Sequence, residues 1–285
     1  MDQQQLKIWL NNFHNQEHII HALPLIMGIL NITPDSFSDG GKYLDHQMAL
    51  QQTQLMIAAG ADIIDIGGES SRPGATSVSV DEELARVIPV IKLIRQHTTI
   101  ALSIDTTKAP VMRAAVAAGA TMINDINGLR NQDSLQAAYE LNVPVCIMHM
   151  QGVPQTMQID PQYNLPIIDV VDQFFTEQIS RCVEYGMKRE NIIIDPGFGF
   201  GKTMRHNLLL LKNAKHFKQH NLPIMLGFSR KSTLGLLTGK PVHERLIPGI
   251  AVSVFVYLQQ VSILRTHDVD ETKQALQIVH AILQA

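Results

Sequence analysis

Short apolar runs alternate with longer amphipathic segments along the chain from about Leu23 onward. The runs are hydrophobic nearly throughout rather than at every second position, which is typical of strands buried on both faces of a parallel sheet. Eight runs are predicted to be strands: Leu25–Leu30, Asp62–Ile66, Ile100–Ile104, Met122–Ile126, Val145–Met148, Ile192–Ile194, Ile224–Gly227 and Ser262–Arg265. The pattern therefore predicts eight β-then-α units in succession.

The amphipathic segments predict the helices between these strands. They include Gln47–Ala59, Asp81–Arg95, Val111–Ala118, Val170–Tyr185, Asn207–Lys218 and Glu271–Leu283. Gly60 and Gly119 each end a helix just before a strand, as glycine often does. This order favours an α/β fold, a single-domain (β/α)8 TIM barrel over residues 23–285, rather than a doubly wound sheet. Residues 1–22 are expected to form a short N-terminal extension, a hairpin or a helix, that covers the barrel bottom.

The composition excludes several classes of partner. The 285 residues are 45% hydrophobic, and 23 basic against 26 acidic residues give a formal charge of −3. This balance gives no electrostatic reason to expect nucleic acid or an anionic membrane as a partner. Cys146 and Cys182 are too few for a disulfide framework, and Cys146 lies in an apolar run. With neither a signal-peptide pattern nor an apolar run of about 18 residues, a cytoplasmic protein is expected.

Polar residues follow the predicted strands, each time at the carboxyl end. They are Asn31, Glu69–Arg72, Asp105, Asn124–Asp125, His149, Asp195, Ser229–Ser232 and Arg265–Asp268. The loops at this end build the active site of a barrel, whereas the opposite end serves stability. Any one of them is as easily a buried, hydrogen-bonded side chain, and Asp105 alternatively caps the next helix. Eight together predict an active site.

The residue types at this end suggest a flat, nitrogen-rich ligand. Asp105, Asn124 and Asp195 supply carboxylate and amide groups, which suit an edge rich in N–H donors such as that of an aminopyrimidinone. Lys231 adds a cationic donor for a ring nitrogen or a carbonyl group.

The last predicted strand suggests an anion site. Arg265 and His267 are two residues apart, so both face the same side if the strand continues. Asp268–Glu271 resembles a capping box that opens the last helix, whose N-terminus would favour a phosphate group. A structural salt bridge is the alternative role for Arg265.

Two loops, Thr33–Gly41 and Ser70–Ser79, lack a secondary-structure pattern and are predicted to be lids. Phe37 lies between serines with no core role, so stacking on a flat ligand is expected. Asp195–Lys202 is glycine-rich but lacks the Walker spacing. Its glycines are expected to let the backbone approach a ligand closely, with Phe200 as a wall.

Several of these segments resemble the motifs of dihydropteroate synthases. They are Met27–Gly41, Asp65–Ala75, Ser103–Thr106, Ile123–Ile126, Met148–Gly152, Asp195–Lys202, Ser229–Ser232 and Arg265–Asp268. The resemblance extends from about Leu23 to the end of the chain. One departure is Ser71, which stands where the family often has threonine; the hydroxyl group is kept.

The resemblance implies a (β/α)8 enzyme that condenses 6-hydroxymethyl-7,8-dihydropterin pyrophosphate with p-aminobenzoate in folate synthesis. It implies Mg²⁺ as the cofactor, a homodimer as the assembly and sulfonamides as inhibitors. By motif, the pterin positions are Asp105, Asn124, Met148, Asp195, Phe200, Gly227 and Lys231. The pyrophosphate positions are Asn31, Ser71, Arg265 and His267, with Asn31 also touching the metal. The p-aminobenzoate positions are Asp35, Phe37, Arg72, Pro73 and Ser232.

The reaction implied by the resemblance is dissociative. Pyrophosphate would leave first, and Asp35, Lys231, Arg265 and His267 would carry the catalysis, with Asp35 facing the resulting carbocation. Two alternatives share the pterin-binding residues. One is a folate-dependent methyltransferase that acts on a corrinoid protein, and the other is a non-catalytic pterin-binding paralogue.

Overall fold

Eight parallel strands form a barrel in the part of the chain that the structure describes. The structure is a computed structural model that describes residues 1–15, 22–33, 41–72 and 74–285. The strands are β1 (Leu25–Asn31), β2 (Ile63–Gly67), β3 (Ala101–Asp105), β4 (Met122–Asp125), β5 (Val145–Met148), β6 (Ile192–Asp195), β7 (Met225–Gly227) and β8 (Ile263–Thr266). They pair in the order β6-β5-β4-β3-β2-β1-β8-β7. Between β6 and β7 the barrel closes through a single parallel bridge that joins Ile194 and Ile224.

Helices surround the barrel and connect its strands. Those of the described residues are α1 (Gln3–Asn15), α2 (Gly41–Ala58), α3 (Val80–His97), α4 (Ala109–Ala118), α5 (Gln132–Leu141), α6 (Ile167–Glu184), α7 (Met204–Lys212), α8 (Ser232–Thr238), α9 (Leu246–Leu258) and α10 (Val269–Gln284). Gly60 and Gly119 follow α2 and α4 with φ of 96° and 118°, so the predicted glycine ends of these helices are confirmed. The (β/α)8 barrel is confirmed as the fold.

The residues that point into the barrel occupy every second strand position. Near the amino ends of the strands they form one buried apolar cluster: Leu25, Met27, Ile63, Ala101, Met122, Cys146, Ile193, Met225 and Ile263. Because side chains alternate along a strand, the same positions continue toward the carboxyl ends with Asn31, Asp65, Ser103, Asp105, Asn124, Asp195 and Arg265. The interior is therefore apolar at the bottom and polar at the top.

Helix α1 packs against the apolar end. Leu6 and Leu10 are fully buried within the same cluster as the interior strand residues. Asp2 forms an antiparallel bridge with Ile100 just before β3. The described part of the N-terminal segment is thus helical as far as Asn15, and residues 16–21 of the predicted extension lie outside the described residues.

One predicted helix is wrong in its second half. The sequence pattern predicts a helix over Asn207–Lys218, whereas α7 ends at Lys212 and Ala214–His220 forms a 3-10 helix. The side-chain amide of Asn213 donates to the Leu209 carbonyl over 2.8 Å. This bond satisfies an acceptor in the last turn, and the chain leaves the α-helical conformation there.

Candidate active site

Arg265 lies in the polar half of the barrel, between carboxyl groups from two other strands. Its Nε donates to Asp65 Oδ2 over 2.6 Å, and its Nη2 donates to Asp105 Oδ2 over 2.8 Å. Asn124 Nδ2 donates to the same Asp65 oxygen over 3.0 Å. The structural salt bridge that the sequence analysis gave as an alternative role for Arg265 is therefore present. These ion pairs hold the guanidinium group at the level of Asp105 and Asn124.

The pKa of the Asp105 carboxyl group lies well above the usual range of an aspartate. Burial raises its pKa to about 7, and the negative charges of Asp65 and Glu83 act in the same direction. The contact with Arg265 lowers the pKa but does not outweigh burial. A carboxyl group that exchanges its proton near pH 7 can accept from a ring N–H or donate to a ring nitrogen.

Asp195 ends β6 and organises the glycine-rich loop that follows. Its Oδ1 accepts from the Gly197 N–H over 2.7 Å. Burial raises the pKa of the Asp195 carboxyl group, and the nearby Lys231 opposes that shift. Gly197 has φ of 72°, and a Cβ there would lie 1.8 Å from the His149 carbonyl oxygen. Only glycine lets the loop pass so close to the end of β5.

Lys231 and Phe200 lie together beside this loop. Lys231 Nζ donates to the Phe198 carbonyl oxygen and lies 4.3 Å from the centroid of the Phe200 ring. Burial lowers the pKa of Lys231 to about 7, although the negative charge of Asp195 opposes the shift. The cation and the aromatic wall that the sequence predicts are therefore neighbours, with Asp195 close by.

Met148 and Gly227 complete the set predicted for a pterin ring. Met148 belongs to a small buried cluster with Phe200. A Cβ at Gly227 would lie 3.5 Å from side-chain carbons of Arg265, so Gly227 borders the aliphatic part of that side chain. The seven predicted pterin positions thus lie around one end of the barrel.

His267 lies at the rim, among several cations. Its Nδ1 is 3.0 Å from Ser229 Oγ, and its backbone N–H donates to the same oxygen over 3.2 Å. Burial lowers the pKa of His267 to about 4, and the positive charges of Arg265, Arg230 and Arg72 add to the shift. The imidazole is therefore neutral near pH 7, and the guanidinium groups around it favour an anion at this rim.

The predicted capping box over Asp268–Glu271 is wrong. Asp268 is the N-cap residue of α10, but its side chain makes no capping hydrogen bond. The carboxylate pairs with Arg230 instead, because a charged donor binds it more strongly than a backbone N–H does. The alternative of Asp105 as a helix cap is also wrong, since α4 begins after Lys108.

A network of three charged residues fastens the loop after β2. Lys108 Nζ is 2.6 Å from Glu69 Oε2 and 2.5 Å from Glu83 Oε2, and Glu83 is fully buried. Glu69 Oε1 accepts from the Val78 N–H over 3.1 Å. The two ends of the predicted lid Ser70–Ser79 are thereby tied together.

The remaining predicted residues divide between the rim and the undescribed positions. Ser71 is half-buried in the loop after β2, Arg72 is exposed there, and Ser232 is exposed at the start of α8. Asp35, Phe37 and Pro73 lie outside the described residues, as does most of the lid predicted over Thr33–Gly41.

Two buried charged residues escaped the sequence reasoning. Asp65 interrupts an otherwise apolar strand two positions after Ile63, so strand alternation was a usable signal. Lys202 Nζ lies 2.9 Å from His149 Nδ1 and donates to the carbonyl oxygens of His149 and Phe200 over 3.2 and 3.0 Å. Its signal was weak, because a lysine after a glycine-rich loop ordinarily suggests contact with a phosphate.

Comparison with known proteins agrees with this geometry. Residues 27–267 match the model of the family described as "Pterin binding enzyme". The chain is 48% identical to the dihydropteroate synthase of Escherichia coli K12, over 92% of this chain and 93% of the relative. It is 44% identical to the enzyme of the same name from Haemophilus influenzae, over 98% and 100%.

Solved structures give the same result. The Yersinia pestis dihydropteroate synthase with a bound sulfonamide drug has a TM-score of 0.87 and 46% identity, covering 92% of this chain and 95% of that one. The Xanthomonas albilineans enzyme in complex with 7,8-dihydropteroate has a TM-score of 0.83 and 39% identity, covering 92% and 94%.

The fold and the site define a pterin-binding barrel enzyme, and the chain belongs to that family. Within it, the relatives above place the chain among the dihydropteroate synthases. This membership favours the synthase over the corrinoid methyltransferase and over a non-catalytic paralogue. Among the described residues, no helix is long and apolar enough to cross a membrane.

Proposed function

We propose that the chain condenses 6-hydroxymethyl-7,8-dihydropterin pyrophosphate with p-aminobenzoate, forming 7,8-dihydropteroate and pyrophosphate in folate synthesis. The observation that carries this proposal is the joint placement of a nitrogen-binding interior and a cationic rim. Asp105, Asn124 and Asp195 face the interior, and Arg265 lies among them, next to the rim. His267 lies at the rim near the guanidinium groups of Arg265, Arg230 and Arg72. The reaction is an alkyl transfer without redox chemistry.

The interior suits the pterin ring. The Asp195 and Asp105 carboxyl groups accept from the N–H edge of the pyrimidinone, and the Asn124 amide supplies both a donor and an acceptor. The Lys231 ammonium donates to a ring nitrogen or to the carbonyl oxygen. Phe200 and Met148 enclose the ring faces, so the exocyclic CH₂ group is directed outward to the rim.

The rim suits the pyrophosphate group. Arg265, His267 and the hydroxyl of Ser71 stabilise the negative charge that develops as the C–O bond breaks. His267 is neutral in the free enzyme and therefore acts as a hydrogen-bond donor through its Nε2–H when Nδ1 accepts from Ser229.

Magnesium fits this site as a companion of the pyrophosphate. The described residues contain no group of three acidic, histidine or cysteine side chains that could hold a metal. Asn31 ends β1 and offers one amide oxygen. Mg²⁺ commonly takes one or two protein ligands and completes its shell with phosphate oxygens and water. Bound in this way, it would neutralise charge on the leaving group.

The second substrate enters above the pterin. Arg72 and Ser232, with Phe37 and Pro73, are proposed to enclose p-aminobenzoate, and Arg72 pairs with its carboxylate group. Asp35 stabilises the carbocation left by pyrophosphate departure and orients the attacking amine. Because sulfonamides resemble this substrate, the chain is proposed to bind them competitively. The cytoplasmic location expected from the sequence stays a prediction.

The test mixes purified protein with the pterin pyrophosphate, p-aminobenzoate and Mg²⁺, and measures dihydropteroate and released pyrophosphate. We expect both products in equal amounts, and we expect Asp35→Ala to lower kcat by about 100-fold, as typical for loss of a charge that stabilises a transition state. Absence of both products with the wild-type chain would refute the function. Undiminished turnover by Asp35→Ala would refute only the role of that residue.

We also propose a homodimer, formed through α9 and α10. Ile247, Phe255 and Leu258 on α9 are 79%, 44% and 43% exposed, and Ile278 and Ile282 on α10 are 65% and 68% exposed. The two helices pack side by side, and we propose that these residues belong to one apolar surface. Such a surface is typical of a protein–protein interface, and a twofold axis would let it pair with itself.

A further inference from the structure

Four consecutive carbonyl groups of the loop after β6 each accept a hydrogen bond from a side chain. The donors and acceptors are Lys231 to Phe198, Gln158 to Gly199 over 2.7 Å, Lys202 to Phe200 over 3.0 Å, and Tyr163 to Gly201 over 2.6 Å. We call this set of four donors the loop clamp. Three of the donors come from outside the loop itself, so separate parts of the chain hold one short segment of backbone.

The segment needs such support because of its glycines. Gly197, Gly199 and Gly201 all have positive φ, of 72°, 82° and 64°. Glycine loses more conformational freedom on ordering than other residues, so a loop with three glycines is costly to hold in one shape. Hydrogen bonds to its carbonyl groups offset that cost and select one conformation.

Lys202 is the most buried donor of the clamp. Lys202 is only 2% exposed to solvent. Burial lowers the pKa of Lys202, and its Nζ can form three hydrogen bonds, either as an ammonium with three donors or as an amine with two donors and one lone pair. Its three partners are His149 Nδ1 at 2.9 Å, the His149 carbonyl at 3.2 Å and the Phe200 carbonyl at 3.0 Å. The group is therefore fully used inside the protein and has no donor left for a substrate.

The acceptors of Lys202 connect it to both sides of the pterin site. Phe200 supplies the aromatic wall, and its carbonyl is one acceptor. His149 supplies the other two, and its backbone N–H donates to the Asp195 carbonyl over 2.9 Å. Through these bonds Lys202 connects Phe200, which supplies the wall, with His149. The N–H of His149 is in turn hydrogen-bonded to Asp195, which supplies the carboxyl group.

Lys231 has a different position in the clamp. The proposed function gives it a bond to the pterin ring, which requires its ammonium to share or leave the Phe198 carbonyl. The remaining donors must then keep the loop in place while the ligand binds. Of the remaining donors, Lys202 is the one that belongs to the end of the loop and is buried there.

We propose that Lys202 is a positioning residue for the pterin: together with His149, it holds the wall at Phe200 and the carboxyl group of Asp195 in the geometry that binds the ring. It does not contact the substrate. This inference rests on the proposed function, and it identifies a residue that determines the affinity for the first substrate but not for the second.

The first experiment measures the loop without any ligand. Amide hydrogen exchange is followed over residues 195–202 in the wild-type chain, in Lys202→Met and in the control Lys212→Met, an exposed lysine at the end of α7. We expect Lys202→Met to speed exchange of this segment at least about tenfold while the barrel strands stay protected. The control should match the wild type.

The second experiment measures steady-state kinetics of the same variants. We expect Lys202→Met to raise the KM for the pterin pyrophosphate about tenfold, equivalent to about 1.4 kcal/mol, and to leave the KM for p-aminobenzoate within about twofold. Lys202→Arg, which keeps a cation and donors, should recover part of the loss. A fall in kcat with both KM values unchanged would reveal a merely structural residue and overturn the proposal.

Tyr163→Phe provides an independent variant of the same clamp, and it decides the matter if Lys202→Met does not fold. It removes only the hydroxyl that donates to Gly201. Faster exchange of residues 195–202 and a higher pterin KM are expected, and no change in either would overturn the clamp. If the wild-type chain itself yields no product, the proposed function fails, while the exchange measurement still decides whether Lys202 orders the loop.

Discussion

Asp105 and Lys231 carry opposite charges, yet burial brings both to the same point of the pH scale. Burial raises the pKa of the Asp105 carboxyl group to about 7 and lowers that of the Lys231 ammonium to about 7. Both shifts have one cause, since a low-dielectric surrounding disfavours whichever form is charged. Both groups in the mouth of the barrel are therefore expected to exchange protons near pH 7.

This shift predicts a pH dependence of pterin binding. The Lys231 pKa is lowered, so its ammonium form exists below about pH 7 and is lost as the pH rises above it. Because the ring needs a donor there, kcat/KM for the pterin pyrophosphate should fall by up to about tenfold per pH unit above this point. Measurement of kcat/KM between pH 6 and 9 tests the sign.

Lys231→Arg separates this residue from ionisation of the substrate. A guanidinium group stays charged throughout the range, so the break near pH 7 should disappear even if the overall rate is lower. A profile with the same break in the variant would assign it to another group.

Strand alternation explains which site residues were accessible to sequence reasoning. Asp105 and Asp195 stand out because each ends an apolar strand at an interior position, and Asn124 stands out at an interior position one residue before the end of β4. Asp65 stands at an interior position too, but its place inside a strand resembles a core residue. The pairing of Asp268 with Arg230 was not predictable, since it joins two loops that only the closed barrel brings together.

At the scale of elements, the loop after β2 depends on the network formed by Lys108. This side chain bridges Glu69 at the start of the loop and Glu83 in α3. Among the residues that the structure describes, none forms a hydrogen bond with Glu83 Oε1, so Lys108 provides the main compensation for a fully buried carboxylate.

Removal of this cation should destabilise the fold. Lys108→Met leaves Glu83 unpaired, and loss of one partner of a buried pair costs about 3–5 kcal/mol. Lys108 is 20% exposed, so we expect about 2–3 kcal/mol, measured from the urea-unfolding midpoint. Lys92→Met, an exposed lysine of α3, is the matched control. Equal stability of the two variants would contradict the network, and adding Glu83→Gln to Lys108→Met should restore part of the loss.

The elements themselves were predictable to different degrees. All eight strands were predicted within about two residues at each end, because each is a short apolar run between glycine, proline or polar residues. Helix α9 has no amphipathic pattern, since nearly all of Leu246–Leu258 is apolar. A run that is apolar throughout does not distinguish a helix with two buried faces from a strand. The hydrophobic pattern of one chain also does not show which partner would cover the second face.

At the scale of the whole molecule, the apolar surface of α9 and α10 predicts the state of assembly. Ile247→Asp places a charge at its most exposed position, and burial of an unpaired charge in an interface is strongly unfavourable. We expect a dimer for the wild-type chain and a monomer for this variant by light scattering coupled to gel filtration. Leu55→Asp on α2, 58% exposed in the wild type, should remain dimeric. Dimerisation of Ile247→Asp as strong as that of the wild type would place the interface elsewhere.

The distribution of charge in the mouth of the barrel also affects how the substrate is oriented. Three carboxyl groups, of Asp65, Asp105 and Asp195, stand with Arg265 and Lys231 in the depth of the mouth. Burial opposes ionisation of Asp105, Asp195 and Lys231, because it raises the pKa of each of the two carboxyl groups and lowers that of the ammonium group, so the net charge there stays small. The exposed guanidinium group of Arg72 lies further out, whereas that of Arg230 is paired with Asp268. A molecule with a neutral ring at one end and a pyrophosphate at the other experiences a torque in this field. Within the mouth, this field favours the pose in which the ring lies deep and the pyrophosphate group stays at the rim.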